Sequence, residues 1–398
     1  MIEDFKVPDA EINNRIKKIQ NLLREKNING LFIVQRVDLF YFSGTAQNGV
    51  LYIPAEGKPL LMIIKYMPRA MKESSIENII GIKSIKDIPG KIADFYGGYP
   101  KLLGFEFDVL PVRDFHLYKN LFPGYEYVDA SHLILQTRMI KSEWEIIQME
   151  KAAELAEKTF EYMRFTIRPG ISEMEFAGMF ETFARRLGHG GFLRSRYYQA
   201  AAYPWHILSG KSGGVVGFLD APASGTGTSA AFPCGAGGKP LFPNEPIMID
   251  LGTVLNGYHM DETRMFSIGS MPEKALKACE ASIEIHNEVL ANVKPGITVS
   301  ELYHIAVSKA DSLGYSSQFL GPEGYKVVFV GHGIGLELVE NPIIAKDKES
   351  RLEPGMTFSL EPKMVFENEF SAGIESVFLV TETGCRLISK VPVEIFIC

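Results

Sequence analysis

Two aspartates, Asp250 and Asp261, stand eleven positions apart in the segment IDLGTVLNGYHMDETRMF. Between them lies Asn256-Gly257, a dipeptide suited to the two-residue type I′ turn of a β-hairpin. Pairing outward from that tip sets Leu255 opposite Tyr258, Val254 opposite His259, Gly252 opposite Asp261 and Asp250 opposite Thr263. Side chains alternate faces along a strand, so Asp250, Gly252, His259, Asp261 and Thr263 share one face. The two carboxylates are then diagonal neighbours, with Gly252 leaving space between them. Like charges held this close need a positive partner, and a pair of divalent metal ions supplies one economically. The alternative is a solvated hairpin face with two surface aspartates, which the apolar residues around them disfavour.

Further ligand types follow downstream. VVFVGHGIGLEL presents His332 between glycines, RLEPGMTFSLEP ends a strand-like run at Glu361, and AGIESVFLV places Glu375 in an alternating run. One histidine and four carboxylates suit hard or borderline divalent ions such as manganese, cobalt, iron or zinc.

The elements that must carry these groups fall into two domains, expected at 1–136 and 137–398. The first alternates helix and strand: EINNRIKKIQNLLREKNING has helical spacing and is expected to end at Asn29-Gly30, and LFIVQ, GVLYIP and KPLLMII read as strands. It contains no chemical motif. Ser142 and Glu145 then form a capping box that opens a long helix running to about Phe165. The second domain contains an internal repeat: IRPGISEMEFAGMFETFARRLGHGG and VKPGITVSELYHIAVSKADSLGYSS match without a gap at an offset of 126 residues. Pro169 matches Pro295, Gly170 matches Gly296, Glu175 matches Glu301, and Leu187-Gly188 matches Leu313-Gly314. Ser172 and Thr298 are equivalent N-caps. Two related α/β halves about a pseudo-twofold axis are expected, with a cleft between them.

Composition narrows the class. The chain of 398 residues is 46% hydrophobic and 22% charged with a net charge of −7, which suits a globular protein and not a nucleic-acid binder. No apolar run is long enough for a membrane helix, and the N-terminus does not read as a signal peptide. Four dispersed cysteines, Cys234, Cys279, Cys385 and Cys398, form no CxxC pair and fit a reducing cytoplasm.

The ordered set DLG, the Asp of GYHMDETR, GHGIGLEL, LEPGMTFSLEP and the Glu of GIES resembles the family of aminopeptidase P, prolidase, methionine aminopeptidase and creatinase. The resemblance spans nearly the whole chain. It implies a creatinase-type N-terminal α/β domain and a C-terminal pita-bread domain, the latter accounting for the repeat. It implies Asp250 as a terminal metal ligand, Asp261 and Glu375 as bridging ligands, and His332 and Glu361 as the rest. Two divalent ions, manganese first and cobalt, zinc or iron as alternatives, would hold a hydroxide that attacks an amide carbonyl. Glu361 would shuttle the proton, and Thr263 would support a ligand carboxylate. A homodimer acting on a small peptide or small molecule is also implied.

Three positions depart from the proline-specific pattern. Cys234 stands in PCG where PHG is usual, Val339 where a second histidine is usual, and Gly373 where arginine often precedes the last glutamate. His206, in a HILSG segment resembling the family's IVASG, and His259 are expected to border the site and take over catalytic work. The long stretch 196–235 reads as a functional loop. Three functions follow: an Xaa-Pro-type metallopeptidase; a same-fold enzyme acting on a small non-peptide substrate, by creatinase-like C–N cleavage or osmolyte lysis; and a non-catalytic binding protein.

Overall fold

The computed structural model describes residues 5–98, 101–196 and 205–398, and the chain divides into two compact units meeting at Arg138 and Met139. The first holds a six-stranded sheet of β1 (Gly30–Ile33), β2 (Gly49–Pro54), β3 (Leu60–Ile63), β4 (Asn78–Gly81), β5 (Leu102–Phe105) and β6 (Glu126–Asp129), ordered β4-β3-β2-β1-β5-β6. The three strands foreseen in this region are β1, β2 and β3. The first helix, Asp9–Glu25, stops short of Asn29-Gly30, because the chain has already turned at Asn27, whose φ is 55°. Asparagine tolerates that left-handed conformation better than most residues, and it frees Gly30 to open β1.

The second unit carries the strands that matter for chemistry. A four-stranded sheet, ordered β17-β9-β8-β7, is made of β7 (His206–Ser209), β8 (Ile247–Leu255), β9 (Tyr258–Ser267) and β17 (Ile395–Ile397). A five-stranded sheet, ordered β11-β10-β12-β15-β16, is made of β10 (Phe329–Gly333), β11 (Glu340–Ala345), β12 (Thr357–Leu360), β15 (Ser376–Val380) and β16 (Cys385–Leu387). A two-stranded ribbon, β13 (Lys363–Phe366) and β14 (Phe370–Gly373), leaves the second sheet after β12 and returns to it at β15. Every residue of β9 is buried, so the apolar setting of the hairpin is a core strand and not a solvated face.

The repeat is visible in the backbone. The helices Glu173–Arg186 and Val299–Ser312 begin at Ser172 and Thr298, whose hydroxyls accept from the backbone N–H of Glu175 and Glu301. Gly170 and Gly296 both have φ of 87°, and Leu187 and Leu313 both close their helices at φ −87° and ψ −2°. The flanking loops match too: Gly170 and Gly296 donate to the carbonyls of Leu241 and Leu352 at 2.9 and 2.8 Å. The Glu143–Thr166 helix opens with the expected Ser142–Glu145 capping box. Among the described residues no helix is long and apolar enough to cross a membrane.

Candidate metal centre

The β8–β9 hairpin has the register read from its sequence. Asn256 and Gly257 sit at the tip with φ of 54° and 90°, and Val254 faces His259, Gly252 faces Asp261 and Asp250 faces Thr263. Two positive φ values in succession are what a type I′ turn requires. Gly252 does not leave an open gap, however. A Cβ there would come within 2.3 Å of Leu193 Cδ1, so the space belongs to the side chain of a neighbouring loop.

The remaining ligand-type residues come from the second sheet and its ribbon. His332 lies on β10 opposite Ser359 of β12. Glu361 sits in the joint between β12 and β13, and Glu375 in the joint between β14 and β15. The backbone of Glu375 reaches the first sheet, donating from its N–H to the carbonyl of Thr263 at 3.1 Å. Five residues from four separate segments thus meet between two sheets, all but half-buried Asp250 fully buried.

Within this group, Asp261, His332 and Glu375 offer ligand atoms that all lie within 4.8 Å of one another. His332 Nε2 is 3.8 Å from Asp261 Oδ2 and 3.6 Å from Glu361 Oε1. Its Nδ1 is 3.0 Å from the carbonyl of Gly333. That contact needs the proton on Nδ1, which turns the Nε2 lone pair toward the carboxylates. This tautomer suits a metal-ligating imidazole. Glu375 is held by two hydroxyls: Thr263 Oγ1 donates to Oε2 at 2.8 Å and Ser359 Oγ donates to Oε1 at 2.7 Å. Burial, together with the neighbouring Glu375 and Asp250 charges, pushes the Asp261 carboxyl well above its usual pKa. A cation bound by these residues removes that conflict, so the donor set fits one divalent ion.

A sixth residue, absent from the expected ligand set, stands among them. The Lys363 ammonium donates to Asp250 Oδ2 at 3.0 Å, Glu361 Oε2 at 2.8 Å and Glu375 Oε2 at 2.9 Å. Burial alone would lower the pKa of Lys363, but Asp250, Glu361, Glu375 and Asp261 outweigh it and hold the ammonium fully charged. Burial likewise opposes ionisation of Asp250, and here Lys363 and His206 prevail and set its pKa below the usual carboxylate range. Glu361 keeps a raised pKa, because burial and Glu375 outweigh the attraction of Lys363 and His332. Lys363 thus contacts three of the five residues of the expected ligand set.

The two histidines expected to border the site have different surroundings. His206 is the cross-strand partner of Asp250, with Nδ1 3.5 Å from Asp250 Oδ2 and a buried Nε2 that has no hydrogen-bond partner among the described residues. His259 is buried with both ring nitrogens engaged by backbone: Nδ1 lies 3.0 Å from the Gly335 carbonyl, and Nε2 accepts from the Arg194 N–H at 3.0 Å. Burial drives its pKa down to about 4. These two contacts tie the His259 ring to Arg194 and Gly335 and so brace Arg194 against the hairpin.

Sequence reading missed Lys363, Ser359 and Glu173. A periodic signal existed for the first two: Ser359, Glu361 and Lys363 are alternate residues of one nearly extended run and share a face. Glu173, at the first turn of its helix, accepts from the Ser209 N–H and hydroxyl at 2.7 Å and from the Gly237 N–H at 3.0 Å. It thereby ties that helix to the end of β7, the strand that carries His206. The stretch 196–235 lies partly outside the described residues; Cys234 within it is half-buried, its thiol pKa raised by burial.

Comparison with known proteins agrees with this geometry. Residues 147–382 match the model of metallopeptidase family M24, and residues 15–140 match the creatinase/prolidase N-terminal domain. The chain is 27% identical over 386 residues to an Xaa-Pro dipeptidase from Pyrococcus furiosus, covering 96% of this chain and all of that one. It is also 27% identical to an uncharacterized peptidase of Staphylococcus epidermidis over 94% of its length and 99% of the relative's. Among solved structures, the prolidase from Pyrococcus horikoshii matches with a TM-score of 0.80 at 25% identity, over 96% of this chain and 99% of that one. An Xaa-Pro dipeptidase from Bacillus anthracis shares the fold with a TM-score of 0.83, over 97% and 100% of the two chains. With both of its domains matched and the ligand-type residues gathered between its sheets, the chain belongs to metallopeptidase family M24.

Proposed function

We propose that this protein is a metal-dependent hydrolase that opens the amide bond of short peptides with proline after the scissile bond. The observation that carries the reading is the buried group of Asp261, His332 and Glu375, whose ligand atoms converge within 4.8 Å in a chain of this family. The Xaa-Pro specificity rests on the relatives named above. Manganese is the first candidate, because three of the four nearest donors are carboxylates and oxygen-rich sites suit it. When bound, the ion would supply the Lewis acidity that amide hydrolysis needs.

The chain's own residues divide the remaining work. Glu361, buried beside His332 and Lys363, is the carboxylate assigned to take a proton from the attacking water and return it to the leaving nitrogen. Ser359 and Thr263 fix the plane of the Glu375 carboxylate. His206 borders the same pocket beside Asp250. A second reading, a small non-peptide substrate on the same fold, is favoured by Lys363 and by the glycine at position 373, which change the polar lining of the site. The expected homodimer belongs to this proposal as the assembly state of the active enzyme.

The test is to incubate manganese-loaded protein with a mixed library of Xaa-Pro dipeptides and tripeptides, follow products by mass spectrometry, and use His332→Ala as the blank. Cleavage before proline that is lost in the variant supports the reading. Stoichiometric metal with no peptide cleaved overturns it and turns the search to small amides and betaines.

A further inference from the structure

We propose that the Lys363 ammonium is a built-in cation that takes the place of one metal ion, so that the centre binds a single divalent ion, on the side of Asp261 and His332. This rests on the metal-dependent reading above and deepens it.

The four carboxylates sort into two halves. On one side Asp250 Oδ2, Glu361 Oε2 and Glu375 Oε2 surround the ammonium at 2.8–3.0 Å. On the other, Glu361 Oε1 and Asp261 Oδ2 face His332 Nε2 at 3.6 and 3.8 Å, and Glu375 is shared, since its ligand atom also converges with those of Asp261 and His332. Glu361 thus points one oxygen at each half, as a carboxylate shared between two cations would. An ammonium has three N–H donors, and each is used on a different carboxylate. None is left for a substrate carbonyl, so Lys363 is a positioning residue whose contribution is its charge.

The fold places that charge deliberately. Lys363 opens the ribbon and its cross-strand partner is Gly373, which closes it. A Cβ at Gly373 would lie 2.6 Å from Lys363 Cγ, so the lysine stem fills the volume a side chain there would occupy. The carbonyl of Lys363 is held by the Leu320 N–H at 2.9 Å, and the side chain is 5% exposed. An ion seated on the same three oxygens would have to come to about 2.0–2.2 Å from each, which requires the ammonium to leave.

Charge counting agrees. Four carboxylates and one ammonium leave three negative charges, which a single divalent ion reduces to one. Two ions beside a retained ammonium would leave the buried centre net positive, with like charges in contact.

The experiment is metal stoichiometry on the full chain, stripped with chelator and titrated with Mn(II), read by calorimetry, elemental analysis and electron paramagnetic resonance. Wild type is expected to bind one ion per chain with the six-line spectrum of isolated Mn(II). Lys363→Ala is expected to bind two, with a spin-coupled spectrum. Two coupled ions in wild type overturn the proposal, and so does one ion in a folded Lys363→Ala. Should Lys363→Ala fail to fold, two other variants decide. Asp261→Asn is expected to weaken the single ion by about 100-fold, whereas Asp250→Asn, on the lysine side, changes it by less than about threefold; equal losses overturn the proposal. One ion without peptide cleavage keeps this proposal and removes the peptidase reading, and two ions with cleavage does the reverse.

Discussion

Lys363 and Gly373 are directly paired across the two-stranded ribbon, and the side chain that Gly373 lacks is the space through which the lysine stem runs. The two positions are therefore packed as a unit. Gly373→Ala sets a methyl against Lys363 Cγ and is expected to cost about 1–3 kcal/mol. Adding Lys363→Ala removes the clash. The cost of Gly373→Ala measured in that background should then be smaller by at least about 0.5 kcal/mol, the size expected for residues in contact. Urea denaturation of the four proteins in chelator checks this; strict additivity would show that the two positions are independent.

Removing the ammonium should make folding depend on metal. With Lys363→Met three carboxylates lose their buried partner, a kind of change that costs about 3–5 kcal/mol. In chelator the variant is expected to melt well below wild type, and saturating Mn(II) should restore most of the difference. Wild type should gain less from the ion, because much of its charge is already balanced. Thermal melts with and without metal decide it, and an equal metal response in both proteins would count against an electrostatic part for Lys363.

The Glu375 carboxylate is gripped by Thr263 and Ser359, whose hydroxyls reach its two oxygens at 2.8 and 2.7 Å. Such outer contacts typically control metal affinity by about 10–100-fold. Thr263→Val and Ser359→Ala should each weaken Mn(II) binding by roughly that factor while the fold stays intact. Calorimetric titration of both variants, with circular dichroism as the control for folding, tests the claim.

His206 pairs with Asp250 across β7 and β8, and its buried Nε2 has no partner among the described residues. A buried imidazole nitrogen without a partner is costly unless a substrate or water meets it. His206→Leu is expected to lower kcat on the peptide substrate by on the order of 100-fold, the lower end of what a proton-transfer group contributes. Metal stoichiometry should not change. Loss of metal together with activity would instead make His206 a support for Asp250.

Much of the site was legible because its signals are local or repeat at short range. The hairpin register follows from Asn256-Gly257 and strand alternation alone, and the paired halves follow from glycines and caps in fixed register. Lys363 had only its alternation with Ser359 and Glu361 to announce it, and that pattern does not say that its ammonium meets Asp250 and Glu375, which lie elsewhere in the sequence. The contacts of His259 were hidden for a related reason. Its face was right, but the carbonyl of Gly335 and the N–H of Arg194, both distant in sequence, had claimed its ring. Gly252 shows the same limit, since the residue filling its space is Leu193.

Away from the centre, His286 should make the protein sensitive to acid. It is buried against Phe378, with ring centroids 5.3 Å apart, and burial lowers its pKa to about 4. A base whose folded pKa is depressed stays neutral in the native state while the unfolded chain takes up a proton below its ordinary value of about 6.5. The unfolded state then binds more protons, so stability falls as the pH drops from about 6.5 toward 4 and is fully present above that window. By pH 5 this one residue should account for on the order of 2 kcal/mol. His286→Met fills a similar volume and cannot titrate, so it should flatten the loss between pH 7 and pH 5 by about that amount. Urea midpoints at the two pH values for wild type and variant give the comparison, and parallel losses in both would place the acid sensitivity on other groups.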